Sequence, residues 1–253
     1  MSKIFLDISF LGTQYHGYQV QPNATTIQQK IGEAARLLFG VDCDIVGCSR
    51  TDSGVHANQF CLTISEKGKP HLNTSIPVEK IVSALNFYLP EDITVNKADV
   101  VSDEFHPRYD VVSKEYLYCI WNGNHRNPFM SDRSWHYSRK IDAETLDKMR
   151  QAAEALVGTY DFSAYMASNA TVKNTVRTIY SVSLEKDGDM IYFRICGNGF
   201  LYNMVRIIVG TLISVAEGKI SYDEIPKITD SRDRKMAGIT APPQGLYLNK
   251  VIY

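Results

Sequence analysis

The residues best suited to chemistry stand in one short loop, where Arg50 precedes Asp52 by two positions and Gly54 follows it by two. An apolar run at 43–46 before the loop and an alternating run at 59–64 after it each predict a strand. Gly54 can adopt a positive φ angle cheaply, which favours a tight turn. Such a loop can hold one carboxylate in a fixed direction, with a guanidinium close enough to keep it ionised.

Asp-Ser-Gly between two strands is also ordinary turn chemistry, so these residues alone leave a plain turn open. The eight residues from 50 to 57 read Arg-Thr-Asp-Ser-Gly-Val-His-Ala. They resemble the Arg-Thr-Asp-x-Gly-Val-His-Ala signature of tRNA pseudouridine synthases of the anticodon-arm class. That resemblance implies that Asp52 is the catalytic residue.

A second stretch contains Phe105-His106-Pro107-Arg108 and then Lys114-Glu115-Tyr116-Leu117-Tyr118. A half-buried tyrosine is normal in a strand, so local pattern alone favours packing. The Phe-His-x-Arg and Lys-x-Tyr-x-Tyr pattern resembles the same family, which implies that Tyr116 lies against the target base. Tyr118 points the same way by alternation and fits the core equally well.

A third stretch, Phe200 to Arg206, leads from a strand into an apolar helix. Arg206 interrupts a hydrophobic surface and needs a partner there, unless it extends to solvent at the helix edge. The pattern Phe-x-x-x-Met-Val-Arg resembles the family, in which this Arg pairs with the catalytic Asp. The resemblance therefore implies that Arg206 reaches Asp52, and that Arg50 and Arg206 together favour its ionised form.

Three positions depart from the family pattern. Leu11 stands where Asp is usual, Tyr18 where Trp is usual, and Ser49 where Gly is usual. We expect these departures to affect RNA contacts near the first loop, and they leave Asp52 untouched.

The order of predicted elements is β-α-β-β-α-β within residues 1–104, and residues 105–253 repeat it. In the first half, Thr26 and Gln29 form a capping box before a helix with Ile27, Ile31, Ala34, Ala35 and Leu38 on one face. A second helix begins after Pro77, with Ile81, Leu85 and Tyr88 on one face, and a short strand starts at 93–95. Two ferredoxin-like halves predict an α+β fold with one broad, largely antiparallel sheet and helices on one face.

The 253 residues are 44% hydrophobic and 22% charged, as in a soluble globular protein. No apolar run approaches the roughly 20 residues of a membrane helix. The N-terminus enters a strand-like pattern directly, so no signal peptide is expected, and five scattered Cys indicate reduced thiols in a cytoplasmic protein. With a formal net charge of −1, one chain is too weakly basic to hold tRNA alone. This charge, together with the resemblance, predicts a homodimer.

The resemblance implies that the chain isomerises uridine at tRNA positions 38–40, a reaction that needs no redox cofactor. The Cys and His residues show no metal-ligand spacing, so we expect no metal. Zinc deaminase and P-loop motifs are absent from the sequence. A phosphoaspartate site would need a second carboxylate near Asp52 to hold Mg²⁺, and the loop at 47–57 contains no other Asp or Glu. The remaining alternative is an RNA-binding module whose sheet only holds RNA.

Overall fold

The computed structural model describes residues 2–168 and 172–253. The chain divides into two compact units. The first consists of Met1–Val112 with Leu248–Tyr253, and the second is Ser113–Tyr247. Because the last strand ends the chain in the first unit, the polypeptide leaves that unit once and returns to it.

The first unit contains strands and helices in the predicted order. Their bounds are β1 (Ser2–Phe10), α1 (Ile27–Phe39), β2 (Cys43–Gly47), β3 (His56–Glu66), α2 (Val78–Tyr88) and β4 (Ile93–Ser102). The strands run in the order β4-β1-β3, with β2 also on β3, and all these pairs are antiparallel. The sequence underestimated β4, which extends seven residues beyond the predicted 93–95 because it pairs with β1 along the whole of that strand.

Alternation along β1 places one face of this sheet in the core. Ile4, Leu6, Ile8 and Phe10 are buried, while the residues between them are only half-buried. In register with them on β3 stand further buried apolar side chains, such as Leu62 opposite Leu6. The period of two predicted for a strand with one buried face is therefore observed.

The two helices of this unit bury most of their predicted stripes. In α1 the buried residues are Ile27, Ile31, Ala34 and Ala35, and in α2 they are Ile81 and Leu85. Tyr88 was expected on the same face of α2. It is instead 43% exposed, because it is the last residue of the helix and extends past the buried part.

The ends of α1 follow local chemistry. Thr26 Oγ1 accepts a hydrogen bond from Gln29 N at 3.3 Å, as predicted for an N-cap, and Gly40 ends the helix with φ 70°. The predicted capping box is only half formed. The Gln29 side chain donates to Glu33 at 2.9 Å, one helical turn on, instead of returning to Thr26.

The second unit contains more elements than the sequence predicted. Their bounds are β5 (Ser113–Trp121), β6 (Trp135–His136), α3 (Ala143–Glu154), β7 (Gly158–Asp161), β8 (Val176–Asp187), β9 (Met190–Gly197), α4 (Met204–Ala216) and α5 (Ile225–Ser231). A final strand, β10 (Leu246–Ile252), begins in this unit and continues in the first. Periodicity missed β6, β7 and α5, which have two, four and seven residues and are too short to show a period.

In this unit β5, β9, β8 and β7 are neighbours in that order and antiparallel, while the two residues of β6 pair with β5 in parallel. A hairpin with its turn at residues 188 and 189 joins β8 to β9. Both units thus have largely antiparallel sheets with helices, and the predicted α+β class is confirmed.

All five cysteines are free thiols, and Cys48, Cys61 and Cys119 are buried. Burial raises the pKa of Cys119 to about 12. In the described part of the chain, no helix has the length and apolar character that crossing a membrane requires.

Candidate active site

The Asp52 loop connects β2 to β3 in the first unit. Cys48 N donates to Cys61 O at 2.8 Å, which continues the strand pairing to the start of the loop. Val55 N then donates to Asp52 O at 3.2 Å, which closes a turn at Asp52. Gly54 has φ 78°, the positive angle that the sequence predicted for this position.

The first loop of the chain, residues 12–18, holds this turn, and we call it the cradle. Tyr18 N donates to Thr51 O at 3.2 Å, and Gly54 N donates to Tyr15 O at 3.3 Å. The hydroxyl of Ser53 donates to the same Tyr15 carbonyl at 3.2 Å. The residues before and after Asp52 are therefore bonded to the backbone of the cradle.

Two glycines allow the cradle to lie this close. A Cβ on Gly12 would stand 2.0 Å from the carbonyl oxygen of Val55, and one on Gly17 would stand 2.5 Å from that of Thr51. Gly17 also has φ 85°, a conformation that L side chains rarely adopt. Any larger residue at either position would push the cradle away from the Asp52 loop.

Two side chains fix the cradle to the rest of the unit. The Tyr15 hydroxyl donates to Asp92 Oδ1 at 2.6 Å, and burial together with this carboxylate raises the Tyr15 pKa above its usual range. His56, the first residue of β3, is fully buried, and its Nδ1 accepts from Gly12 N at 2.9 Å. Sequence reasoning had assigned these residues no role, although the glycine spacing of the first loop and His56 of the octapeptide were visible.

Asp52 itself is half-buried, and Arg50 lies exposed at the start of the turn. The catalytic role of Asp52 and the contribution of Arg50 to its ionisation remain predictions. The geometry adds that the backbone on both sides of Asp52 is held, so the direction of its carboxylate is restricted.

Tyr116 and Tyr118 stand on β5 in the second unit. The Tyr116 ring is 8% exposed and lies edge-on to the ring of Phe200, with centroids 5.0 Å apart. Tyr118 is fully buried, and its hydroxyl donates to Pro242 O at 2.7 Å. The core position that the sequence left open for Tyr118 is therefore observed, while the role of Tyr116 toward a base stays a prediction.

Arg206 is half-buried in the first turns of α4. Its Nε donates to Ala241 O at 2.7 Å and its Nη1 to Asn203 Oδ1 at 2.8 Å. Asn203 precedes the helix with φ 60°. Burial raises the pKa of Tyr118. The positive charge of Arg206 lowers the same pKa, but this effect is smaller than that of burial. Arg206 is thus anchored in the protein, and not extended from a helix edge.

A metal centre would need several ligating side chains together. Across residues 2–168 and 172–253, no three His, Cys, Asp or Glu side chains are grouped so that they could bind a metal ion.

Comparison with known proteins identifies the class of this enzyme. A family model described as tRNA pseudouridine synthase matches residues 8–110 and 152–253, which include Asp52 and Arg206. The class so defined is that of isomerases acting on uridine in tRNA.

Full-length relatives agree with this class. The chain is 46% identical to tRNA pseudouridine synthase A of Thermoanaerobacter sp. (strain X514) and 45% identical to that of Acetivibrio thermocellus, over 100% of both chains in each case. It is 41% identical to that of Bacillus subtilis over 97% of both chains. The chain therefore belongs to the tRNA pseudouridine synthase family.

A solved structure described as a Cbf5-Nop10-Gar1 complex also matches, with 11% identity, a TM-score of 0.33 and coverage of 82% of this chain and 52% of that one. At this level the similarity is too low to support any further comparison of the two proteins.

Proposed function

We propose that this protein converts uridine to pseudouridine in the anticodon arm of tRNA, at positions 38–40. One observation carries the proposal. Asp52 stands in an Arg-Thr-Asp loop whose backbone is held on both sides by the cradle. Relatives that share at least 40% of the sequence are named tRNA pseudouridine synthase A.

The reaction explains why a fixed carboxylate is needed. The N1–C1′ glycosidic bond breaks, the base turns, and C5 bonds to C1′. The sugar carbon becomes oxocarbenium-like, and Asp52 either adds to C1′ or removes the 2′ proton. Both routes require an ionised carboxylate at a precise distance from the ribose, which a held turn supplies.

Tyr116 and the two arginines complete the proposed site. A base that has left the stack can rest against a tyrosine ring, and the Tyr116 hydroxyl or a water bound to it can take the proton that C5 loses. Arg50 and Arg206 favour the ionised form of Asp52, and pairing of Arg206 with Asp52 is part of this proposal.

The remaining parts of the proposal concern assembly. The element order β-α-β-β-α-β of the first unit, with strand order β4-β1-β3-β2, supports a ferredoxin-like half within residues 1–104. The order β5, α3, β8, β9, α4, β10 supports a second half within 105–253, with the helices on one face of the sheet. A homodimer in the cytoplasm is the proposed form.

The isomerisation adds and oxidises nothing, so the proposal requires no metal or organic cofactor. Removal of divalent ions with a chelator should leave the rate unchanged, provided that monovalent salt keeps the tRNA folded. Loss of activity that one particular divalent ion restores would count against this part of the proposal.

Tritium release from tRNA carrying 5-³H-uridine tests the function directly, because C5 must lose its hydrogen. Wild-type protein should release tritium, and Asp52→Asn should not, although it keeps the size of the side chain and the affinity for tRNA. An RNA-binding module without catalysis would bind tRNA and release nothing in either form. Mass mapping of the product then identifies which of positions 38–40 is modified.

A further inference from the structure

His56 joins the two loops that surround Asp52. Its ring is fully buried, and Gly12 N donates to its Nδ1 at 2.9 Å. Because Nδ1 accepts this bond, it carries no proton, and the proton of the neutral ring lies on Nε2. This hydrogen bond therefore determines the tautomer of His56. It also holds Gly12, the first residue of the cradle, to a side chain four residues after Asp52.

The backbone contacts in the cradle depend on where Gly12 stands. The space at Gly12 is so small that a Cβ there would meet the Val55 carbonyl at 2.0 Å. Three further hydrogen bonds join the cradle to the Asp52 loop. The Ser53 hydroxyl and Gly54 N both donate to Tyr15 O, and Tyr18 N donates to Thr51 O. A shift of Gly12 would therefore be transmitted to both sides of Asp52.

We propose that His56 is a positioning residue for the reaction, because its buried imidazole fixes the cradle against the Asp52 loop and so sets the direction of the Asp52 carboxylate. This inference rests on the proposed function. His56 acts through Gly12 and the cradle, and not on the RNA. Displacement of a catalytic group by about 1 Å can lower a rate by 10²-fold, so loss of this fixation should reduce turnover.

Two substitutions separate the hydrogen bond from simple packing. His56→Leu fills the space and removes the acceptor for Gly12 N. His56→Asn carries an oxygen at the same depth along the side chain as Nδ1 and keeps the acceptor. The measurements are the single-turnover rate at saturating tRNA, the tRNA affinity and the exchange rate of the Gly12 amide hydrogen.

His56→Leu should lower the single-turnover rate by about 10²-fold while tRNA affinity stays within about twofold of wild type. His56→Asn should recover most of the rate, to within about tenfold of wild type. The Gly12 amide should exchange slowly in wild type and in the Asn variant, and quickly in the Leu variant. His71→Leu is the control and should keep the wild-type rate. His71 is half-buried, its carbonyl accepts from Glu66 N at 2.9 Å, and Glu66 ends β3 at the opposite end from His56.

A folded His56→Leu protein with the wild-type rate would overturn the inference, as would an Asn variant as slow as the Leu variant. If His56→Leu does not fold, His56→Gln replaces it, because its amide lies at the depth of Nε2 and leaves Gly12 N without its acceptor. A Gln variant with the wild-type rate overturns the inference equally. If wild-type protein releases no tritium from tRNA, the proposed function fails, while Gly12 exchange still tests the fixation.

Discussion

The ring of Tyr18 stacks on the ring of Phe60, with the centroids 4.3 Å apart and the planes at 28°. Tyr18 is 3% exposed, and a Cβ on Gly47 would stand 2.7 Å from its ring. The departure from the family pattern at Tyr18 was expected to affect RNA contacts. The buried ring of Tyr18 packs next to the Asp52 loop, where Tyr18 N donates to Thr51 O at 3.2 Å, and the effect of this position on RNA contacts stays a prediction.

Tyr18→Phe should leave the free energy of unfolding unchanged or raise it by about 1 kcal/mol, because the Tyr18 hydroxyl is buried without a hydrogen-bond partner among the described residues. Tyr15→Phe is the matched control. It removes the bond to Asp92 and should cost about 1–2 kcal/mol. Denaturant unfolding measures both. Weaker binding of tRNA by Tyr18→Phe would support the expected effect of this position on RNA contacts.

Gly17→Ala should destabilise the protein more than Gly40→Ala does. Both glycines have positive φ, but an added Cβ meets the Thr51 carbonyl at Gly17 and open space at Gly40. The conformational penalty alone is about 1–2 kcal/mol, so Gly40→Ala should lose that much and Gly17→Ala clearly more. Only Gly17→Ala should also slow the single-turnover rate. Equal losses of stability and of rate for the two variants would contradict this assignment.

Tyr116→Phe separates packing from chemistry in the second unit. The ring keeps its contact with Phe200, so the melting temperature should change little. If the hydroxyl takes part in proton transfer, the single-turnover rate falls by about 10²-fold or more at unchanged tRNA affinity. A wild-type rate would remove the hydroxyl from the mechanism.

Tyr116→Leu should cost about 1–3 kcal/mol of stability, since a ring that is 8% exposed is replaced by a smaller side chain. If the ring also stacks on the base, tRNA turnover should fall further than the loss of folded protein explains.

Arg206→Lys should slow the chemical step and destabilise the protein, because a lysine cannot make both of the bonds to Ala241 O and Asn203 Oδ1 in the same geometry. Arg234→Lys is the control. Arg234 also donates to a backbone carbonyl, that of Gly238 at 2.8 Å, and has no proposed role in catalysis. Both variants should lose about 1–3 kcal/mol, and only Arg206→Lys should lose rate beyond that.

A combination of Arg206→Lys with Asp52→Glu tests the proposed pairing of the two residues. Coupling of 0.5 kcal/mol or more between the two effects on the single-turnover rate is the expected result for groups that interact. Additive effects would mean that Arg206 acts only within the second unit.

Light scattering at micromolar concentration should give the mass of a dimer, since one chain with formal net charge −1 offers little attraction for tRNA. Affinity for tRNA should fall steeply with rising salt. A fully active monomer would contradict the dimer.

Much of the site could be predicted from the sequence. The Asp52 turn follows from local chemistry, because Gly54 can adopt the positive φ that the turn uses and strands flank it on both sides. Periodicity also located α1 and α4, whose apolar residues recur at helical spacing. Helix α4 itself starts at Met204, since Asn203 before it adopts the left-handed conformation.

The amino-acid sequence by itself determined the catalytic candidate, the order of the main elements and the family, because these depend on neighbours in the chain and on motifs read in order. Only the tertiary structure decided what holds Asp52. The contacts of Tyr15, Gly17 and His56 join segments more than thirty residues apart. No local pattern encodes which backbone carbonyl a glycine will approach. The partners of Arg206 were decided in the same way, because Ala241 reaches α4 only when the chain folds back upon it.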